Sequence, residues 1–301
     1  MFHGLSSAAA PAPAPDFAGK IYATEVKGTA LIRVNGRIQP LKPKTAYPAS
    51  GIALETQPGS AATLVLSNGT GVTLGPATRI EVKHFEQEPF KPMRTDFEQE
   101  PSVSDTRLEV VFGTISIATN KLASGSNLHV ETPQAEVSAF GGRLVVTVGD
   151  AGTNVWVLEG SCTLRGDDTA MPKQLLRAGD MAAATRGAAG QPEQTIVRVE
   201  KISSAKLVAL DDQLAEPSFA RKIVYFEVKE LPADASNASG GAASPQAALA
   251  EGDKAAGAPV DAFGRSDSTP TLSHVIVPVA VVPIELPVNF TISPARILSG
   301  G

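Results

Sequence analysis

Gly152-Thr153-Asn154-Val155-Trp156-Val157-Leu158-Glu159-Gly160 repeats, 124 residues on, the pattern of Gly28-Thr29-Ala30-Leu31-Ile32-Arg33-Val34-Asn35-Gly36. Each copy has a Gly-Thr entry, a short apolar run and a closing Gly. The closing Gly is free to take a positive φ at a tight turn, so each copy reads as a strand and a turn. A second strand follows each, then a Gly inside an apolar segment: Gly51 ahead of Ile52 and Leu54, Gly179 ahead of Met181. Between the copies the chain keeps producing short β-like runs. The expected fold is therefore all-β, opened and closed by similar hairpins.

The intervening runs support that reading. Asn68-Gly69 joins Ala62–Leu66 to Val72–Leu74, and Asn-Gly between alternating apolar residues is a strong hairpin signal. Arg79–Lys83 alternates, with Ile80 and Val82 placed inward and the charges outward. Val110–Ile117, Leu128–Val130, Leu144–Val148 and Val155–Leu158 continue the series at spacings that suit a sandwich, a roll or a short solenoid. Val155 to Leu158 is apolar on both faces, as expected of a strand covered on both sides.

The boundaries follow from composition. Residues 1–19 are an Ala/Pro leader, 20–187 the β domain, and 188–232 a small strand-helix-strand annex. In the annex Ser203 or Ser204 caps a helix carrying Leu207, Leu210 and Leu214, which Pro217 is expected to end. Residues 233–270, dominated by Ala, Gly, Ser, Pro and Asp, read as a flexible linker, and 271–301 as a Pro-containing, β-prone tail. One insertion interrupts the β domain. Phe85-Glu86-Gln87-Glu88-Pro89 recurs as Phe97-Glu98-Gln99-Glu100-Pro101, which predicts an exposed loop. Phe85, Phe90 and Phe97 either staple that loop to the sheet or form a partner-binding arm. Val275, Val277 and Val281 in the tail are the other candidate partner-binding residues. Pro278, Pro283 and Pro287 confine the tail to an edge strand, which pairs with its own body or augments a partner or another subunit.

Catalysis finds no constellation. Cys162 is the only cysteine among 301 residues, so no intrachain disulfide forms, and its strand neighbours make it a small buried hydrophobe. His3, His84, His129 and His274 have no metal-site spacing, and His129 is placed on the solvent face of its strand. Asp167-Asp168 and Asp211-Asp212 read as solvated charge, and the glycines after Asn68 lack the helix that phosphate binding needs. A carbohydrate-active enzyme would need paired carboxylates in an aromatic-lined groove, and Trp156 is the only Trp. No cofactor is expected. A formal charge of −5 and no basic run argue against nucleic acid. The most apolar stretch, Val275 to Val288, is broken by three prolines and falls short of the roughly 20 residues of a spanning helix. Met1 to Pro11 looks like the tail of a signal peptide without its charged start, so export is the expectation. Asn68, Asn237 and Asn289 match the N-glycosylation pattern.

From Gly28 to about Ala184 the chain resembles the FecR domain, the extracytoplasmic domain of ferric-citrate regulator-like proteins. The residues that carry the likeness are Gly36, Ala61–Thr70, Leu74–Ile80, Val111-Phe112-Gly113, Val130–Val137, Val155–Gly160 and Leu175–Asp180. Where that family shows Arg-Gly-Thr after the Thr-Pro strand, this chain has Phe140-Gly141-Gly142. The cytoplasmic sigma-factor-binding domain and membrane span of well-known members have no counterpart in this sequence. The resemblance implies a non-enzymatic exported scaffold or binding module of the bacterial envelope, periplasmic or extracellular. Its partner is a protein or an envelope polymer, with self-association through the tail as a further possibility. The alternative is a periplasmic signalling partner of a receptor or anti-sigma system.

Overall fold

A computed structural model describes residues 18–90, 98–166, 172–186, 195–231 and 273–280. The strands run β1 (Lys20–Lys27), β2 (Ala30–Val34), β3 (Arg37–Pro40), β4 (Thr45–Pro48), β5 (Ile52–Thr56) and β6 (Ala61–Leu66). They continue with β7 (Gly71–Leu74), β8 (Thr78–Gln87), β9 (Ser104–Thr119), β10 (Asn127–Glu131), β11 (Ala135–Gly149) and β12 (Gly152–Gly166). After β13 (Gln174–Arg177), β14 (Asp180–Arg186) and β15 (Thr195–Lys201) come the single described helix α1 (Ser204–Ile223), β16 (Val224–Leu231) and β17 (Ser273–Ala280). The protein is all-β with one helix, as the apolar alternation requires.

Fifteen strands form one hydrogen-bonded sheet that folds into two layers. The inner layer runs β4-β1-β6-β7-β9-β11-β12-β14-β15, and the outer layer β3-β2-β5-β8-β9-β10-β11-β12-β13. Three long strands belong to both. Residues 105–109 of β9 pair with β8 and, in parallel, with β10, while residues 115–118 pair with β7 and β11. β11 pairs with β10 through 136–139 and with β9 through 142–148. β12 pairs with β14 through 153–156 and with β13 through 161–164. The core lies between the layers and is built almost wholly from Val, Leu, Ile and Ala, with Phe85 as its largest fully buried side chain.

Each shared strand changes layer at a glycine. Gly113 (φ +93°), Gly141 and Gly142 (φ +124° and +110°) and Gly160 (φ +75°) mark the corners. At the crossing of β11 and β12 the backbones nearly touch. A Cβ on Gly142 would lie 2.1 Å from the Glu159 carbonyl oxygen, and one on Gly160 2.0 Å from that of Gly141. The closing glycines of the two aligned sequence copies therefore share a φ of +75° but not a role. Gly36 turns the β2–β3 hairpin with open space around it, whereas Gly160 bends the interior of a strand.

The helix lies across the outside of the inner layer. Thr63, Thr73, Ser116, Val145, Trp156 and Met181 stand in register on that face. Leu210 and Leu214 of α1 bury against Val145, with Trp156, Leu158 and Met181 packed around them. Trp156 is half-buried, and the Lys206 ammonium sits 4.9 Å from its ring centre. The strand Val155–Leu158 is thus covered on both faces, as expected. Ser203 caps the helix, but Pro217 does not end it: the helix continues to Ile223. Proline forfeits one backbone hydrogen bond, and burial of Leu214, Pro217 and Ala220 on the sheet holds the last turns. Gly71 makes this fit possible, because a Cβ there would lie 2.2 Å from the Pro217 carbonyl oxygen. The segment read as an annex gives β15 to the edge of the inner layer and α1 to its face.

The corner glycines can be separated from ordinary turn glycines. Gly36→Ala should cost roughly 1–2 kcal/mol for the left-handed backbone alone. Gly160→Ala, at the same φ, should cost about 3 kcal/mol or more, because backbone overlap adds to the strain. Chemical denaturation of the two variants reads the difference, and equal losses would remove the steric role assigned to Gly160.

Candidate functional site

The bend in β11 creates the most distinctive surface. Pairing with β12 slips between Ala139 and Gly142, and Phe140 is thrown outward to 54% exposure. Beside it opens a cleft of about 800 Å³, floored by Gly141, Gly142 and Gly160 and flanked by Lys121, Arg221 and Lys222. Lys121 and Lys222 make no ion pair among the described residues. Arg221 donates from Nε to the Gly69 carbonyl at 3.2 Å. Burial pulls its guanidinium below the usual arginine value, against the opposing charge of Glu159. Glu159 itself is held by Arg143 at 2.8 Å, and Arg143 also pairs with Asp211 of the helix. Glu98 and Glu159 line the same cleft, so charges of both signs stand beside the exposed Phe140 ring.

The first copy of the duplicated Phe-Glu-Gln-Glu-Pro motif begins on a strand rather than in the expected exposed loop, while Glu86, Glu88, Glu98 and Gln99 are exposed and residues 91–97 lie outside the described residues. That copy closes β8, and Phe85 is fully buried in the core, unable to touch a partner. Gln87, also buried, accepts from the Ser67 hydroxyl at 2.6 Å and donates to the Ser102 hydroxyl at 3.1 Å. In the second copy Glu100 accepts from the Ala123 amide at 2.9 Å and from the Ser104 hydroxyl. Glu98 and Glu100 exchange backbone hydrogen bonds with Lys121 at 3.0 and 3.1 Å. These bonds tie the insertion to the end of β9, where it forms part of the cleft wall. Phe97 and Val281 lie outside the described residues. Phe90 packs with Tyr22 and Ile223 around buried Val65, Phe226 and Ile276, so the insertion and the tail meet on one patch. Val275 and Val277 pair in register with Lys229 and Glu227 of β16. Phe140 escaped sequence reasoning as a site residue. The signal was present in the departure from Arg-Gly-Thr, which placed an aromatic at a glycine corner.

The other chemical candidates are absorbed by structure. Asn68 is buried: its amide donates to the Ser104 hydroxyl at 3.0 Å and its carbonyl accepts from the Thr70 amide at 3.1 Å. That burial closes the first glycosylation motif in the folded chain. His129 is only partly exposed, 3.0 Å from Glu136, rather than on open solvent. Asp211 is spent on Arg143, and Asp167-Asp168 lie outside the described residues. Among the described residues no group of three or more His, Cys, Asp or Glu is arranged to hold a metal. On the outer layer Glu81, Glu109, Glu131 and Glu136 stand side by side on neighbouring strands. Each faces a cation, through Arg33, Arg79 and Lys83, Lys83, Arg107, and Arg165 with His129 respectively. The row is a lattice of partly buried carboxylates, each paired with a cation.

The architecture is a two-layered β module with a polar cleft at its strand corner. Residues 52–163, from β5 into β12, match the family model described as FecR protein. No curated protein matches the sequence. Two crystal structures of a proposed anti-sigma factor from Parabacteroides distasonis, at 2.50 and 1.65 Å resolution, each align at 16% identity with a TM-score of 0.38. Each alignment covers 52% of this chain, and 62% and 63% of those chains, so the chain spans less than two thirds of either. Likeness at that score carries no functional inference. Among the described residues no helix is long and apolar enough to cross a membrane.

Two outcomes follow from the charges. Hydrogen bonds from Lys83 and Arg79 hold the Glu81 carboxyl below its usual value. At Glu136 burial pushes upward, but Arg165 and then His129 outweigh it. Folded values depressed below unfolded ones stabilise above the ordinary glutamate range, and the benefit is lost as pH falls through the folded values. The melting temperature should therefore drop with acid more steeply in the wild type than in Glu81→Gln/Glu136→Gln; parallel profiles would contradict this. Burial, with the Asp180 charge, pushes the Cys162 thiol up to about 12. Ellman's reagent should leave the native chain unlabelled at neutral pH and react only after denaturation, since the thiolate is the nucleophile.

Proposed function

We propose that this chain is a non-catalytic binding module of the FecR type, exported to the bacterial envelope, that docks a protein partner or an envelope polymer at the corner cleft. The observation that carries the reading is Phe140, more than half exposed above a cleft whose lining includes Lys121 and Lys222 together with Glu98 and Glu159. Aromatic residues and arginine are enriched at protein interfaces, and Phe140 with Arg221 brings both to this concave surface. The cleft is polar and open, which suits a segment of a macromolecule better than an engulfed small molecule.

A second reading, a periplasmic signalling partner of a receptor or anti-sigma system, is favoured by the FecR match. Both readings use the same surface and differ in what occupies it. A photo-crosslinking phenylalanine analogue placed at 140 in cells should give a discrete adduct that Lys121→Glu/Lys222→Glu abolishes. The same analogue at Phe112, exposed on the outer layer, should give none. A receptor or anti-sigma protein in the adduct supports signalling, whereas a structural envelope component supports the scaffold. Equal adducts at 140 and 112, or insensitivity to the lysines, would remove the cleft as the site.

A further inference from the structure

The large sheet has four terminal strands, and three of them are guarded. β4 ends at Pro48, β3 ends at Pro40, and β13 is only four residues long. Proline and brevity are ordinary ways of keeping a sheet edge from recruiting another strand. The fourth, β15, runs for seven residues without a proline. It is paired along its whole length with β14 and, among the described residues, with nothing on its other side. The Ile202 amide donates to the Gly179 carbonyl at 2.9 Å. Backbone groups alternate in direction along an antiparallel strand, so those of Arg198 and Glu200 face β14, and those of Val197, Val199 and Lys201 point out of the sheet. Side chains alternate too. Val197 and Val199 stand beside the core residues Ala184 and Ala182, and Val199 carries that apolar face past the edge at 44% exposure. Arg198 and Glu200 project from the other face, both exposed and neither in an ion pair among the described residues.

Val197-Arg198-Val199-Glu200-Lys201 complements itself when two copies run antiparallel about Val199. The outward groups of Val199 then exchange two hydrogen bonds with those of Val199 in the second copy. Val197 falls opposite Lys201, and Arg198 falls opposite Glu200 on both sides of the twofold axis. Opposite charges facing each other across a sheet stabilise it, and like charges destabilise it. The neighbouring registers fail on that ground. Centring on Arg198 opposes two guanidinium groups, and centring on Glu200 opposes two carboxylates. Centring on Val197 sets Arg198 against Ile196 and leaves both charges unmatched within the strand. We infer that the edge of β15 is a homodimer interface, in which two copies of this chain pair antiparallel about Val199 and join their inner layers into one continuous sheet. Such an interface is isologous, the same surface meeting itself. It shares no residue with the lining of the Phe140 cleft and does not depend on the reading given to that cleft.

Sedimentation velocity on the full chain, from about 1 μM to 1 mM, reads the association. The wild type should shift from monomer to dimer as concentration rises. Val199→Pro removes an outward amide that β14 does not use, and an edge strand tolerates proline at such a position. This variant should melt close to the wild type and stay monomeric. Arg198→Glu and Glu200→Arg each oppose like charges twice and should each raise the dimer dissociation constant about tenfold or more. Arg198→Glu/Glu200→Arg should restore it, and an equimolar mixture of the two single variants should form the mixed dimer. A wild type that stays monomeric throughout would overturn the inference. So would dimers that persist in a folded Val199→Pro chain, or that ignore the charge reversals, because association would then use another surface. If circular dichroism shows Val199→Pro unfolded, the charge series alone decides, since both of its side chains are exposed.

Discussion

The contact on which the fold depends is the crossing of β11 and β12, where the Gly142 and Gly160 backbones lie too close to admit a side chain on either. A sandwich ordinarily joins its layers by loops. Here β9, β11 and β12 pass from one layer to the other without leaving the hydrogen-bonded ladder. Bends of that kind need residues that accept positive φ and bring no Cβ into the opposing strand. Gly113, Gly141, Gly142 and Gly160 supply both, and the core between the layers closes because the corners do. The same bend that removes the side chains lifts Phe140 into solvent, so the candidate site is a by-product of the constraint that makes the fold.

The two outer faces are treated differently, and charge explains the difference. Beyond the inner layer, Val145, Trp156 and Val65 would leave an apolar surface, and α1 with the β16–β17 ribbon covers it. Gly71 lets the helix backbone lie directly on the sheet. The outer layer instead carries alternating Glu, Arg and Lys, paired with one another at partial exposure. Its exposed residues Ile38, Phe112 and Leu175 lie on separate strands rather than forming a covered patch.

Much of the fold was legible because it is local. Asn68-Gly69 announced its hairpin, Ile80 and Val82 their inward face, and Val155–Leu158 its two covered sides. What could not be read was non-local. Gly160 looked like a turn because a positive φ is the same in sequence whether the chain reverses or bends. Pro217 looked like a stop because its lost hydrogen bond is visible in sequence and its burial against Gly71 is not. Gln87 and Glu100 looked solvated because the serine hydroxyls that satisfy their buried side chains gave no signal in the sequence pattern. The candidate site suffered most. Phe90 and the tail were singled out separately and meet in space, while Phe140 gains its meaning only from the corner beneath it.

If shared strands make the two layers one cooperative unit, native-state hydrogen exchange is the direct measure of it, since independent units open with separate free energies. Amides of 105–109, 136–139 and 162–164 in the outer layer and of 115–118, 142–148 and 153–156 in the inner layer should all converge on a single global opening free energy. Two distinct plateaus, one for each layer, would contradict the account, because the corners would then join two independently stable sheets rather than define one.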